Sequence, residues 1–355
     1  MPRGFGQRVV GVARVARVAG AAAWVGVAVA TAGVARAQSP DQSVEMRYSW
    51  PVGASLTYDN RAEVLTEAES RRETASSVIT TFATQELEVA SERRGSGELD
   101  VATTVVRVDG DLGAAGRIRF DSESASDRRR AREDLIAPFA FLLGERYSIR
   151  LSPVGEVERI EGYAELLDQM LRGLRDRGVR ETMRSTMNED VFRANLEQQW
   201  HVVPDGEVEV GDTWTVRRSQ DISGVGRLTL QMRYTLERVQ SVDGQRVGIV
   251  SATGDAWVSG GQARGVELDI TDARIDGQAV FAVDAGVLLS VEQNTFLRME
   301  VRAGGQFISQ TMDMSSRVWL TGADGYDLPS GLVDPSRRDR AVSAGGGAGR
   351  PSGKR

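Results

Sequence analysis

The chain contains no cysteine, and that absence removes disulfides, thiolate metal sites and the lipid-modified cysteine of a bacterial lipoprotein. Histidine occurs once, at His201, so any imidazole-dependent mechanism must run through that residue. It follows Trp200 at the end of a helical pattern, where a residue interacting with the helix dipole is a commoner reading than a catalytic or metal-binding one. Lysine also occurs once, at Lys354, and the arginine in its place reads as GC-rich codon usage, not as chemistry. The Gly-x-Ser-x-Gly elbow of serine hydrolases is missing. "RPSGKR" near the C-terminus lacks both the earlier glycine and the following Ser or Thr of a phosphate loop. No segment repeats at a period of about 20 to 50 residues.

What is present begins with a basic N-terminal stretch, Arg3, Arg8, Arg14 and Arg17, followed by an uncharged Ala, Val and Gly run from Val18 to Ala35. Ala35-Arg36-Ala37 then offers a small-x-small cleavage site, which together make a secretory signal peptide over residues 1–37. A signal anchor is the competing reading, since the run approaches the ~20 residues that span a bilayer. Cleavage is preferred because the small residues stand where a peptidase needs them and no stop-transfer pattern follows. On that reading the protein is exported, to the periplasm or the medium, with no transmembrane anchor after cleavage. The body from Gln38 to Thr321 holds 33 basic and 46 acidic residues, a formal net charge of −13. Such a surface repels polyanions, so no nucleic-acid partner is expected.

Period-two alternation dominates the body. Val44, Met46, Tyr48 and Trp50 share one face, and Leu56, Tyr58, Ala62 and Val64 resume it after Pro51 and Gly53. Further strands read from about Val78 to Val89, Leu99 to Val108, Arg117 to Phe120, Leu228 to Leu236, Leu288 to Val301 and Gln306 to Leu320. One wet and one buried face is the habit of antiparallel sheets. Asp-Gly in "VDGQ" (242–245) and "IDGQ" (275–278) marks hairpin turns, and "DAGV" (284–287) does similar work. From Glu161 the period becomes helical: Tyr163, Leu166, Leu167, Met170, Leu171 and Leu174 form a stripe, with Gly178 as its C-terminal stop. A second helix starts at the N-cap Asn188 and runs through Val191, Phe192 and Leu196 to Trp200. The fold class is therefore α+β: a large curved antiparallel sheet, or half-barrel, in one domain over 38–321, with a helical insertion at about 161–200 between two β-rich halves. The Gly, Ser, Pro and Arg-rich segment 322–355 is expected to be a disordered tail, dispensable for stability.

Acid pairs such as Asp109 with Asp111 and Asp324 with Asp327 lack the spacing and closing glutamate of a calcium loop. They read as turn residues. "DRRRARED" (127–134) reads as a solvated helix face with i,i+3 and i,i+4 pairs, the alternative being an anionic headgroup or partner site. No metal and no cofactor is expected. A glycosidase-like carboxylate pair stays open, because such pairs are matched in space and not in spacing.

"GERYSIRLSPVGEVERIEGYAELL" followed by "VVPDGEVEVGDTW" resembles a pattern in exported bacterial proteins of uncharacterised function. There a strand, a Gly-x-Val-x-x-Ile-x-Gly turn and a helical segment precede a Val-Gly-Asp-x-Trp element. The β-helix-β order is also similar to the half-barrel with helical lid of periplasmic lipoprotein carriers of the localisation-factor type, from whose lipoprotein members the missing lipobox departs. That likeness implies an apolar ligand site beneath a lid. The residues expected to line it are Leu167, Met170, Leu171, Trp200 and Trp214, the last anchoring lid to sheet.

Three functions follow as expectations. The first is a non-catalytic extracytoplasmic protein binding a lipid, another apolar ligand or a hydrophobic protein segment. The second is an envelope-associated hydrolase using a carboxylate pair, and the third a structural partner of an envelope protein. The absence of a nucleophile motif favours the first and third. N-terminal peptide mapping of the exported protein is expected to find Gln38, free or cyclised, as the first residue; intact Met1 in a membrane fraction is the contrary result.

Overall fold

The computed structural model describes residues 43–70, 73–131, 133, 135–222, 226–260, 266–303, 306–329 and 331–333. The expected signal peptide and the chain beyond residue 333 lie outside the described residues. The strands are β1 (Val44–Glu45), β2 (Ser55–Ser70), β3 (Thr74–Arg93), β4 (Ser96–Asp111), β5 (Arg117–Asp121), β6 (Arg146–Leu151) and β7 (Val157–Glu161). Three helices follow, α1 (Tyr163–Gly173), α2 (Arg177–Thr186) and α3 (Glu189–Trp200). The second half holds β8 (Glu207–Val208), β9 (Thr213–Ile222), β10 (Gly226–Val242), β11 (Gln245–Ser259), β12 (Val266–Ala282), β13 (Val287–Ala303) and β14 (Gln306–Asp324).

Twelve strands form one antiparallel sheet in the order β7-β6-β4-β3-β2-β14-β13-β12-β11-β10-β9, with β5 beside β4. The sheet curves into a half-barrel and does not close. Nearly every neighbour in it is also a neighbour in the chain, so two meanders fan outward from a central seam where β2 pairs with β14. The two outer edges, β7 and β9, are the strands that flank the helices. Among the described residues β1 pairs only with β8; beyond Glu45 the expected alternation holds, with Met46, Tyr48 and Trp50 buried, but the segment is tied down by turns instead of a strand. Tyr48 N–H donates to Pro153 O (2.8 Å) and Ser49 N–H to Gly286 O (2.9 Å).

The inner face carries the core because the registers keep its apolar residues in phase. Leu56 lies opposite Leu87, Tyr58 opposite Leu320, and Val64 opposite Met314. The main cluster sits where the helices and the 44–50 segment cover this face, and includes Leu167, Leu171, Trp200, Tyr234, Leu236 and Phe281. Farther along the strands, Val64, Ala256, Leu297, Met312 and Met314 form a separate inner cluster.

Four readings from sequence are corrected. The first helix ends at Gly173, and Gly178 lies inside α2, a helix the periodicity did not show. Asp176 caps α2 by accepting from Val179 N–H at 2.9 Å, and Arg180 donates to Leu174 O at 2.5 Å. "IDGQ" is no turn: Gly277 lies within β12, opposite Ala252 on one side and Gln293 on the other. Ile275, Gly277 and Ala279 keep one period-two phase through the dipeptide, so the ladder overrides the turn preference. By contrast "VDGQ" does turn, with Asp243 and Gly244 both at positive φ, the type I′ geometry. Of the acid pairs, Asp109 and Asp111 both lie in β4, where only Asp111 shows a turn bond, to Gly113 N–H at 2.9 Å.

The tail boundary expected at Gly322 falls inside β14, whose residues Gly322 to Asp324 pair with β2. Beyond it Tyr326, Leu328, Leu332 and Val333 pack on the main cluster, and Tyr326 Oη donates to Ser49 O at 2.9 Å. Truncation should separate the two parts. Removing 334–355 is expected to shift Tm by less than about 2 °C, because that composition buries no core. Removing 322–355 takes away a strand end, a hydrogen bond worth ~1 kcal/mol and several half-buried side chains, and should lower Tm by more than about 5 °C. Equal melting of the two truncations is the contrary result.

Candidate functional site

Both glycines of the Gly-x-Val-x-x-Ile-x-Gly element have a physical reason. Gly155 sits at φ +85°, and a Cβ there would stand 2.1 Å from the Trp200 carbonyl oxygen. Gly162 is the left-handed N-cap of α1 at φ +83°, a conformation glycine adopts without strain. Val157 and Ile160 between them are buried. The Val-Gly-Asp-x-Trp element is likewise structural. Asp212 accepts from Glu209 N–H (2.8 Å), while Gly211 N–H donates to Leu236 O (2.8 Å) and Leu236 N–H to Asp212 O (3.1 Å), which pins the turn to β10.

The five residues expected at a ligand site fall into two environments. Leu167, Leu171 and Trp200 are buried in the main core. Met170 and Trp214 are partly buried against it. Trp214 stacks on Tyr234 of the neighbouring strand, centroids 5.8 Å apart at 21°. Trp200 is the hub of an aromatic group, meeting Tyr58 edge-on at 5.3 Å, Tyr48 at 5.8 Å and Trp50 at 6.4 Å. Its carbonyl accepts the Tyr48 hydroxyl at 2.7 Å, and burial raises the Tyr48 phenol well above its ordinary pKa, which keeps it a neutral donor. A second aromatic group joins lid to sheet: Phe192 of α3 stacks on Tyr163 of α1 at 3.8 Å and meets Tyr147 of β6 edge-on. The Tyr163 hydroxyl donates to Met187 O at 2.8 Å, tying α1 to the chain just ahead of α3.

Sequence reasoning missed the arginines that hold α3 in place. The helix packs against both β7 and β9, the two edges of the sheet. Arg193 reaches from α3 to the Val157 carbonyl of β7. From β9, Arg218 donates through Nη2 to the carbonyls of Glu197 (2.7 Å) and His201 (2.8 Å), satisfying acceptors that a helix C-terminus leaves free. Arg218 is buried and follows Trp214 and Val216 in the inward phase of β9. A charge in an apolar period-two register was the available sign.

Burial shifts the ionisation of the neighbouring groups, and Arg218 modifies it. His201 is pushed down to about 4 by burial and then by Arg218, with Asp205 opposing. Glu197 is pushed up by burial, with Arg218 and Arg193 opposing and Glu156 reinforcing. The carbonyl bonds of Arg218 and Arg193 make the group a helix anchor. Among the described residues no cluster of three or more His, Cys, Asp or Glu side chains could hold a metal ion. In the 127–134 charge cluster, Arg130 pairs with Glu133 at 3.1 Å and Asp127 at 3.8 Å; Arg132 and Asp134 lie outside the described residues. Among the described residues no helix is long and apolar enough to cross a membrane.

Residues 95–256 match the model of a family of unknown function, DUF6263. Comparison with curated proteins gives no match. Among solved structures the chain is similar to one described as lipid–protein interactions in lipovitellin, at 10% identity and a TM-score of 0.44, over 79% of this chain and 26% of that one. The chain thus spans about a quarter of that protein. It is also similar to a DUF1329 family protein from Desulfovibrio piger at 12% identity and a TM-score of 0.12, over 79% of this chain and 90% of the other. A third likeness is to the COG4313 outer membrane channel from Pseudomonas putida F1, at 8% identity and a TM-score of 0.21, over 80% and 100%.

The lowered His201 pKa sets an acid response. Above the ordinary value of 6.5 both folded and unfolded chains hold a neutral imidazole; between 6.5 and about 4 the unfolded chain takes the proton first. Stability therefore falls as pH falls through that window, and raised Glu197 contributes with the opposite sign. His201→Gln should show a shallower loss of Tm between pH 6.5 and 4 than the parent chain. Parallel Tm profiles would contradict the assignment.

Proposed function

We propose that the chain is an exported, non-catalytic binding protein whose helical lid admits an apolar ligand, or an apolar segment of another envelope protein, to the inner face of the sheet. The observation that carries this reading is an unsealed lid. Leu166 and Met170 on α1 and Val179 and Met183 on α2 pack on the main core while staying only partly buried, and no described side chain of α2 is fully buried. A ten-residue helix has little stability of its own, so α2 is the part of the lid with least to hold it. Thioether side chains at 170 and 183 adapt to ligands of varied shape. Met312, Met314 and Leu297 place further apolar surface along the same inner face.

On this reading Met170 meets the ligand first. Leu167, Leu171 and Trp200 become accessible only as the lid lifts, and Trp214 reports from the β9 edge. Export rests on the composition of residues 1–37. A structural role within an envelope complex keeps the same lid without a ligand.

Titration with fatty acids of increasing chain length, read by tryptophan fluorescence, tests the proposal. Saturable quenching is expected, weakened about fivefold or more by Met170→Asp or Met183→Asp, positions exposed enough to keep the fold. Leu171→Asp, at 2% exposure, should unfold the protein and serves as the contrast. A folded parent chain that binds no apolar ligand would leave the structural-partner reading alone.

A further inference from the structure

The β3–β4 hairpin turns on Arg94 and Gly95, with Arg93 paired to Ser96. Arg94 has φ +56° and Gly95 φ +87°, so the turn is of type I′, whose first position favours Asn, Asp or Gly. At the β10–β11 turn of the same geometry this chain uses Asp243. A long side chain at positive φ is strained by roughly 1 kcal/mol or more, a cost that points to a use for the side chain there.

The use is suggested by what stands beside it. The hairpin tip packs on the β6–β7 turn, where a Cβ on Gly95 would lie 2.9 Å from Pro153 Cγ. Between the two turns opens a cleft of about 850 Å3 lined by Arg93, Arg94, Ser96, Arg150, Pro153 and Glu158. Three guanidinium groups and one carboxylate line the cleft, while Glu92 accepts from the Gly95 N–H at the hairpin tip. Glu158 is engaged by the Ser96 hydroxyl at 2.8 Å. Arg150 spends one nitrogen on Glu98 at 2.7 Å, while its buried Nε–H has no hydrogen-bond partner among the described residues. Arg93 and Arg94 are exposed, and their guanidinium groups can close over a ligand from the solvent side.

We propose that this cleft is a binding site for a phosphate group, with Arg93 and Arg94 as the mobile clamp and Arg150 as the fixed floor. Guanidinium forks match the tetrahedral oxyanion in geometry and charge. The acidic remainder of the chain opposes general anion binding, so affinity depends on these side chains. The proposal does not rest on the apolar-ligand reading.

Isothermal titration of the full chain at low salt tests the site with two probes. One is inorganic phosphate, and the other is vesicles containing phosphatidylglycerol, set against pure phosphatidylcholine vesicles. Saturable binding of free phosphate identifies a small phosphate ligand; binding confined to the anionic vesicles identifies a lipid headgroup. Either should weaken about tenfold or more in Arg93→Gln/Arg94→Asn and on raising salt. Arg94→Asn alone is the sharper variant, because Asn suits the left-handed turn: Tm should rise while phosphate affinity falls. Absence of binding to both probes, or affinity unchanged in the double variant, overturns the proposal.

Discussion

The half-barrel depends on how its gap is bridged. A meander of long strands that stops short of closure leaves two rows of unpaired backbone groups, at β7 and at β9, and a hydrophobic interior open to water. Helix α3 fills the gap, and Arg218 makes it fit: one guanidinium nitrogen takes up two carbonyls at the helix end, while Arg193 ties the same helix to the opposite edge. An arginine placed inward on an edge strand is expensive to desolvate. Its position is understandable because a helix terminus is a concentrated source of acceptors with negative partial charge.

From that bridge the rest of the lid follows. With α3 fixed, Trp200 stands at the centre of the aromatic group, and its carbonyl requires glycine at 155 and accepts the Tyr48 hydroxyl. The 44–50 segment is thereby drawn over the inner face without joining the main sheet. Helix α1 is held through Tyr163 and Phe192. Helix α2 lies outside this set of contacts and rests on the core through the partly buried Val179 and Met183.

Much of this was legible in the sequence, and the limits were physical. Period-two runs placed β2, β3, β4, β10, β13 and β14 because apolar residues recur on one face, but not β11 or β12, and Asn188 announced α3 because a cap is a local interaction. Helix α2 was hidden because Val179 and Met183 are its main apolar contributions and Gly178 looked like a stop. The Asp276-Gly277 dipeptide misled because turn preference is local whereas pairing on both sides is not. Of the candidate site, Met170 and Trp214 lie partly exposed, while Leu167, Leu171 and Trp200 are sealed in the core; the stripe that marks a helix face does not say whether the face meets a ligand or a neighbour. Arg218 and Arg193 could not be singled out by type in a chain where arginine supplies nearly all the positive charge.

The β2–β14 seam has a kinetic consequence. Thr57 and Thr321 are hydrogen-bonded across it though 264 positions apart in the chain, so the middle of the sheet is the last part that a growing or emerging chain can assemble. Loop closure of that length is slow, and until it happens each meander presents an unpaired inner strand as well as an unpaired outer one. Such intermediates are prone to pair with one another. A chain that folds progressively from its N-terminus meets this hazard until β14 arrives to pair with β2.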